Sequence, residues 1–314
     1  MNSTHPRQAS LGPLWTGAKV ALVATSGPPP VEELDRSIAL VRQWGLEPIV
    51  YPSARATHPR AAYLAGSDAV RAADLQRAWC DTNIDAVFCV RGGYGSVRIL
   101  DLLDRETLVS APPKPLFGSS DVTAVHEYWY EQLGVATWFS PMLATAALLD
   151  DEAAKSSLHQ AIFEPVTGRE FSSPTAATIV PGEATGVLSG GNLSLIAMTQ
   201  GARLRPPPSG VGRIVLLEDV AEEPYRIDGM LTQLLRAGWF DTANGIALGS
   251  WHECGDQAEI RALVGELLIP LGIPLVWDLG FGHAPKAHSL PLGIAATLIA
   301  GTFPTLRVNA ATGT

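Results

Sequence analysis

Four short apolar runs separated by helical patterns constrain the first half of this chain more than any other feature. The runs are residues 19–23, 47–51, 86–90 and 115–118. Between them, residues 31–44, 68–80 and 96–103 carry apolar side chains at three- to four-residue spacing. Short strands alternating with helix-length connections predict a parallel sheet with helical crossovers. The periodicity weakens over residues 164–182, where Ser, Thr, Pro and Gly dominate and a linker is expected. Apolar segments return at 213–217, 245–249, 274–276, 295–299 and 305–308, with two long helical patterns, 224–237 and 256–268, among them. More strand per helix in this part predicts a smaller, β-rich α+β domain. The expected class is α/β, with a parallel-sheet domain over residues 1–163, a linker over 164–182 and a β-rich domain over 183–314.

The chain has 314 residues, 46% of them hydrophobic, which is enough for two domains with cores of their own. Its formal net charge of −9 argues against nucleic acid or an anionic membrane surface as partner. No apolar run approaches the roughly 20 residues that span a bilayer. The opening residues, Met1 to Gln8, lack the charged-then-apolar order of a signal peptide. Three widely spaced cysteines, Cys80, Cys89 and Cys254, form no Cys-x-x-Cys pair and read as thiols in a reducing compartment, so the cytoplasm is expected.

The residues able to do chemistry gather where the strands should end. The run at 115–118 stops on Gly118, and Ser119, Ser120 and Asp121 follow before a helical pattern opens. A strand that turns abruptly into a helix lifts a hydroxyl above the sheet edge. It also aims the free N–H groups of the helix start at whatever that hydroxyl attacks. The spacing is not Gly-x-Ser-x-Gly, and such junctions also occur as plain connections. Arg91-Gly-Gly-Tyr-Gly-Ser96 directly follows the run at 86–90, and paired glycines allow close backbone approach and expose N–H donors. This segment reads as an oxyanion donor beside the serine or as a tight turn. A nucleotide cradle is disfavoured, since the pattern is not Gly-x-Gly-x-x-Gly and no lysine follows.

Glu218 and Asp219 end another apolar run, where a carboxylate can orient a histidine or can simply be a solvated turn acid. No His-x-x-x-His or similar ligand spacing accompanies them, so no metal is expected. Among seven histidines, His283 in Gly280-Phe-Gly-His283 is left free by its glycines to reach a partner. His126 is its main rival, but six residues of helix beyond Ser120 should aim it away from the turn; His252 and His288 are loop alternatives. Leu188-Ser-Gly-Gly-Asn-Leu-Ser194 reads as a glycine turn, either a hinge or a lining loop. A hydroxyl, an acid, a base and backbone donors, in the order Ser…Glu…His, meet the needs of acyl transfer without metal or cofactor.

These segments, together with Ala24-Thr-Ser-Gly-Pro28, Glu223-Pro-Tyr-Arg-Ile-Asp228 and Leu290-Pro-Leu-Gly293, stand in the order found in one family. The chain resembles the LD-carboxypeptidases, which include muramoyltetrapeptide carboxypeptidases and microcin C self-immunity peptidases, over residues 18–298. The resemblance implies a Rossmann-like N-terminal half, a smaller β-rich C-terminal half and a site between them. It implies a serine peptidase with Ser120 as nucleophile, His283 as base and Glu218 as orienting acid. Oxyanion donors would be the backbone N–H groups of Asp121 and of Gly92 or Gly93. Arg91, Tyr94 and Arg226 are the expected substrate-binding residues, and members usually form homodimers. Ser119 stands where the family commonly has an aromatic or apolar residue. The substrate expected from the resemblance is the murein tetrapeptide, with release of its terminal D-alanine during cell-wall recycling. A peptidyl or aminoacyl nucleotide amide, and a binding module without turnover, are the alternatives.

Overall fold

A computed structural model describes residues 11–201 and 212–310; the opening residues read above for a signal peptide lie outside that range up to residue 10. The first half runs β1 (Lys19–Val23), α1 (Val31–Gln43), β2 (Glu47–Val50), α2 (Asp68–Cys80), β3 (Ala86–Cys89) and α3 (Arg105–Ser110). It continues through β4 (Leu116–Gly118), α4 (Thr123–Tyr128), β5 (Thr137–Phe139), α5 (Ala146–Leu149) and α6 (Glu152–Phe163). Strands β2, β1, β3, β4 and β5 pair in parallel in that spatial order. Apolar runs buried on both faces of the sheet, such as Ala86–Cys89, suit such a parallel arrangement. The strand order reverses between β1 and β3. Open α/β sheets bind ligands at such a reversal, in the crevice beyond the carboxyl ends of the strands. Here those ends carry Thr25 and Ser26 on one side and Arg91 to Gly93 on the other.

The pattern at 96–103 forms two short 3₁₀ turns, Ser96–Arg98 and Leu100–Leu102, rather than one helix. Phe117 in β4 stacks on Phe88 at 4.4 Å between ring centroids and faces Trp138 of β5 at 6.1 Å. Truncating such a core ring to alanine costs about 3–5 kcal/mol, so this stack fixes the strand that delivers Gly118 and the serines.

The second half holds β6 (Glu170–Phe171), β7 (Ala177–Val180), β8 (Gly182–Asn192), α7 (Leu193–Thr199), β9 (Arg213–Val220) and α8 (Pro224–Arg236). After these come β10 (Ala243–His252), α9 (Gln257–Leu268), β11 (Leu275–Trp277), β12 (Leu290–Leu292), β13 (Ala295–Ala300) and β14 (Thr305–Val308). An eight-stranded mixed sheet has the order β6-β14-β13-β8-β9-β10-β11-β7. Its middle strands β8 to β11 are parallel and its flanks antiparallel.

Two expectations are corrected. Residues 164–182 are not merely a linker, because β6 and β7 lie within them and close opposite edges of the second sheet. Edge strands expose one side to water and tolerate short, polar sequences, which is why the composition concealed them. Leu188 to Asn192, read as a turn, is the end of β8, the longest strand among the described residues.

The two halves are also laced together. Strand β12 leaves the second half to pair antiparallel with β5 of the first sheet. Asp151 caps α6 and also accepts the backbone N–H of Lys286 at 2.6 Å, and Ser157 Oγ accepts that of Ser289 at 2.8 Å. The loop between β11 and β12 is therefore seated on the first half.

Candidate active site

Ser120 sits where β4 turns into helix. Ser119 is still extended, and Ser120, with φ of 57°, is in the left-handed region, which costs a non-glycine residue of order 1 kcal/mol or more. That geometry marks a sharp elbow that presents the side chain above the sheet. The Arg91–Ser96 turn presses against it. A Cβ added at Gly92 would lie 2.8 Å from Ser120 Cβ and 2.9 Å from its Oγ, so only glycine lets the backbone come this close. Gly92 O in turn accepts the N–H of Gly27 at 3.0 Å, which ties the turn to the segment after β1.

His283 approaches from the second half. Its Nδ1 lies 2.6 Å from Glu218 Oε2, and Glu218, near the end of β9, is fully buried. Gly282 makes this contact possible, since a Cβ there would meet Glu218 Oε2 at 2.7 Å and Ser250 Oγ at 2.6 Å. Ser250 Oγ accepts the backbone N–H groups of both His283 (3.0 Å) and Ala284 (3.1 Å). Asn192, which caps α7 at the end of β8, donates through Nδ2 to Glu218 Oε1 at 3.2 Å and to Asp219 Oδ1 at 2.8 Å.

These contacts shift the proton equilibria. Burial pushes the His283 imidazolium toward losing its proton. The charge of Glu218, the hydrogen bond to it and the more distant Asp219 outweigh that effect, and the His283 pKa is raised. The Asp219 carboxyl is pushed up to about 6, chiefly by burial and then by repulsion from Glu218.

Ser120 and His283 line one cavity of about 360 Å³, with Arg91, Gly92, Gly93 and Met142 among its walls. Glu218 stands behind His283, out of solvent. Arg91 is the cavity's cationic side chain and pairs with Glu33 at 3.3 Å. The structure does not bring the other two expected substrate residues to this wall. Tyr94 lies half-exposed against Tyr63, with ring centroids 6.1 Å apart, and Arg226 pairs with Glu222 on an exposed face of α8.

The rivals are accounted for. His126 is buried with Nε2 at 2.9 Å from Gly118 O, and burial lowers its pKa to about 4. His288 is held by Ser172 O at 2.7 Å. Burial raises the Cys89 thiol to about 12 and the Cys254 thiol to about 11, so neither is a thiolate at neutral pH. Among the described residues, no group of three or more His, Cys, Asp or Glu is placed to hold a metal ion. None of their helices is long and apolar enough to cross a membrane.

Asn192 and Ser250 are the members of this cluster that reasoning from sequence missed. Asn192 was visible within Ser189-Gly-Gly-Asn-Leu-Ser194, but its role depends on the parallel pairing of β8 with β9, which sets it beside Glu218. Ser250 carried no local signal.

Comparison with known proteins identifies the family. Residues 20–140 match the LD-carboxypeptidase N-terminal domain and residues 185–298 the LD-carboxypeptidase C-terminal domain. A Streptomyces coelicolor protein assigned to the carboxypeptidases is 46% identical, over 94% of each chain. The murein tetrapeptide carboxypeptidase of Pseudomonas aeruginosa is 30% identical, over 89% of this chain and 92% of its own. Among solved structures, a muramoyltetrapeptide carboxypeptidase from Oxalobacter formigenes superposes with a TM-score of 0.79 at 26% identity, covering 93% of this chain and 99% of that one. A microcin immunity protein, MccF, in complex with glutamyl sulfamoyl guanosine, superposes at 0.84 with 19% identity, covering 97% and 99%, a likeness of fold alone.

Proposed function

This chain belongs to the LD-carboxypeptidase family, and on that premise we propose that it is a serine peptidase releasing the terminal D-alanine from murein tetrapeptides. The observation that carries this reading is His283 held by buried Glu218 at 2.6 Å in the wall of the cavity that Ser120 also lines. Ser120 Oγ attacks the carbonyl of the peptide bond between the third residue and D-alanine. His283 Nε2 takes the hydroxyl proton and then gives it to the leaving amine. Glu218 accepts the Nδ1 proton, which leaves Nε2 free as the base and stabilises the imidazolium once it forms. The backbone N–H of Asp121 and that of Gly92 or Gly93 face the oxygen that becomes an anion, where donors fixed in advance are worth most. Water then repeats the sequence on the acyl-enzyme.

The substrate ends in a free carboxylate beside the scissile bond, and Arg91 is the cavity's cation to receive it. Two relatives at 33% and 30% identity are named for murein peptides, whereas the MccF structure is 19% identical, which favours the tetrapeptide over an aminoacyl nucleotide. The family resemblance also supports a cytoplasmic homodimer with the nucleophile in the first half and Glu218 and His283 in the second. Incubating the pure protein with a murein tetrapeptide and, separately, with an aminoacyl adenylate analogue, followed by mass spectrometry, tests the reading. Release of D-alanine is expected. Cleavage of the nucleotide amide alone would reassign the substrate, and no turnover of either would leave a binding protein.

A further inference from the structure

Asp121 matters to the site above through its backbone N–H, yet its side chain is the more unusual feature. The residue is fully buried beside the nucleophile. Its Oδ2 accepts the backbone N–H of Ser96 at 2.7 Å, while Oδ1 is buried with no hydrogen-bond partner among the described residues. Burial raises the carboxyl pKa, and the hydroxyl of Ser26, then Ser96 and the Gly95 backbone, oppose that rise without cancelling it. A buried carboxylate with one oxygen lacking a direct partner costs folding free energy, so its presence calls for another account than packing.

The account lies in what Ser96 ends. It closes the turn that starts at Arg91 and carries Gly92 and Gly93, both in the cavity wall. The turn is held at its start by the Gly27 N–H to Gly92 O bond. At its far end Arg71, itself fully buried, donates through Nη1 to Gly95 O at 2.8 Å, and Asp121 takes the N–H of Ser96. Ser96 Oγ adds a bond to Thr25 Oγ1 at 3.0 Å and is 2.8 Å from Ser26 Oγ. Residue 121 thus holds one proposed oxyanion donor on its backbone and grips, through its carboxylate, the turn that bears the other.

We propose that the Asp121 side chain is a positioning residue, a clamp that sets the spacing between the two oxyanion donors. Everything in this inference rests on Ser120 being the nucleophile. Removing the clamp lets the Gly92–Gly93 segment drift from Ser120, and donor misplacement weakens stabilisation of the tetrahedral state more than binding of the ground state.

The test measures the second-order rate at which a small fluorophosphonate labels Ser120, read by intact-protein mass spectrometry. That reaction needs the serine, the base and the oxyanion donors but not the peptide, so its outcome is independent of whether the natural substrate has been named correctly. Where the tetrapeptide is turned over, kcat and KM are measured in parallel. Asp121→Ala is expected to slow labelling and kcat by about 30- to 100-fold while KM changes less than about threefold, a fraction of the loss for deleting a donor outright. Asp121→Asn keeps an oxygen for Ser96 and puts its amide where Oδ1 lacks a partner, so it should recover at least tenfold of that loss. If the alanine variant does not fold, Asp121→Ser, with a hydroxyl too short to reach Ser96, takes its place with the same expected loss. Labelling within threefold of wild type in a folded alanine or serine variant overturns the proposal. So does an asparagine variant as slow as alanine, since charge rather than the clamp would then be responsible.

Discussion

Glu218→Gln is the substitution whose effect the geometry sets most sharply. The Glu218 carboxylate is fully buried, so no solvent substitutes for it, and its two oxygens have separate duties. Oε1 accepts Asn192 Nδ2 and Oε2 faces His283 Nδ1 at 2.6 Å. An amide of the same shape must keep its oxygen toward the Asn192 donor. Its NH₂ group then points at His283 Nδ1, makes that nitrogen an acceptor and moves the ring proton to Nε2, where it blocks the base. Neutralising the acid of such a triad costs about 10⁴ in kcat, roughly 5.5 kcal/mol at 1.36 kcal/mol per decade. We expect a loss of about 10³–10⁴ in kcat for D-alanine release, a KM within about threefold of wild type, and a folded protein by thermal melting. The pH profile gives a second check. Below its pKa His283 is protonated and cannot act as base, and its pKa is raised through Glu218. The acid limb of the residual activity should therefore move to lower pH. A loss below tenfold, or an acid limb that stays in place, would refute the reasoning.

Further outcomes follow from the same contacts. Arg91→Ala should raise KM about 10- to 100-fold, the worth of a hydrogen-bonded charge. The penalty should vanish for a tetrapeptide with an amidated C-terminus, measured by comparing kcat/KM for the two peptides. Ser250→Ala leaves the N–H groups of His283 and Ala284 without their acceptor, and we expect kcat to fall about tenfold with KM little changed, read from initial rates. Burial raises Glu127 to about 7, and burial with repulsion from Glu127 raises Glu131 to about 8, beside Arg213. The folded state thus holds protons that the unfolded chain, with its carboxyls at 4.5, has already lost. Stability from this pair is present below that value and is lost as pH rises through about 7 and 8, so the Tm should fall across this window and Glu131→Gln should flatten the fall.

The parallel half of the fold was legible because its signal is local. The runs at 19–23 and 86–90 are apolar on both faces, and the helices between them repeat every three to four residues. The elbow at Ser120 was legible for the same reason, since a buried strand, a glycine and a helix pattern stand in immediate succession. Strands β6 and β7 were not, because edge strands at residues 170–171 and 177–180 need little hydrophobicity and look like a linker. Strand β8 was hidden by its own glycines, whose backbone approaches β9 too closely for a side chain. The site divides along the same line. Ser120, Glu218 and His283 each carry a residue type and a strand-end position that announce chemistry. Asn192 and Ser250 become meaningful only once β8 lies beside β9 and the loop after β11 lies on β10. Arg226, expected from its motif to bind substrate, lies away from the cavity, and its guanidinium pairs with the neighbouring Glu222.

The central claim is that Ser120 is the nucleophile of D-alanine release. Its most direct test compares Ser120→Ala with Ser119→Ala on a murein tetrapeptide, with D-alanine followed by mass spectrometry and folding checked by thermal melting. The account predicts that Ser120→Ala melts like wild type and releases no D-alanine above background, while Ser119→Ala keeps the activity within about tenfold, a tolerance of some 1.4 kcal/mol. Full turnover by Ser120→Ala, with or without its loss in Ser119→Ala, would contradict it.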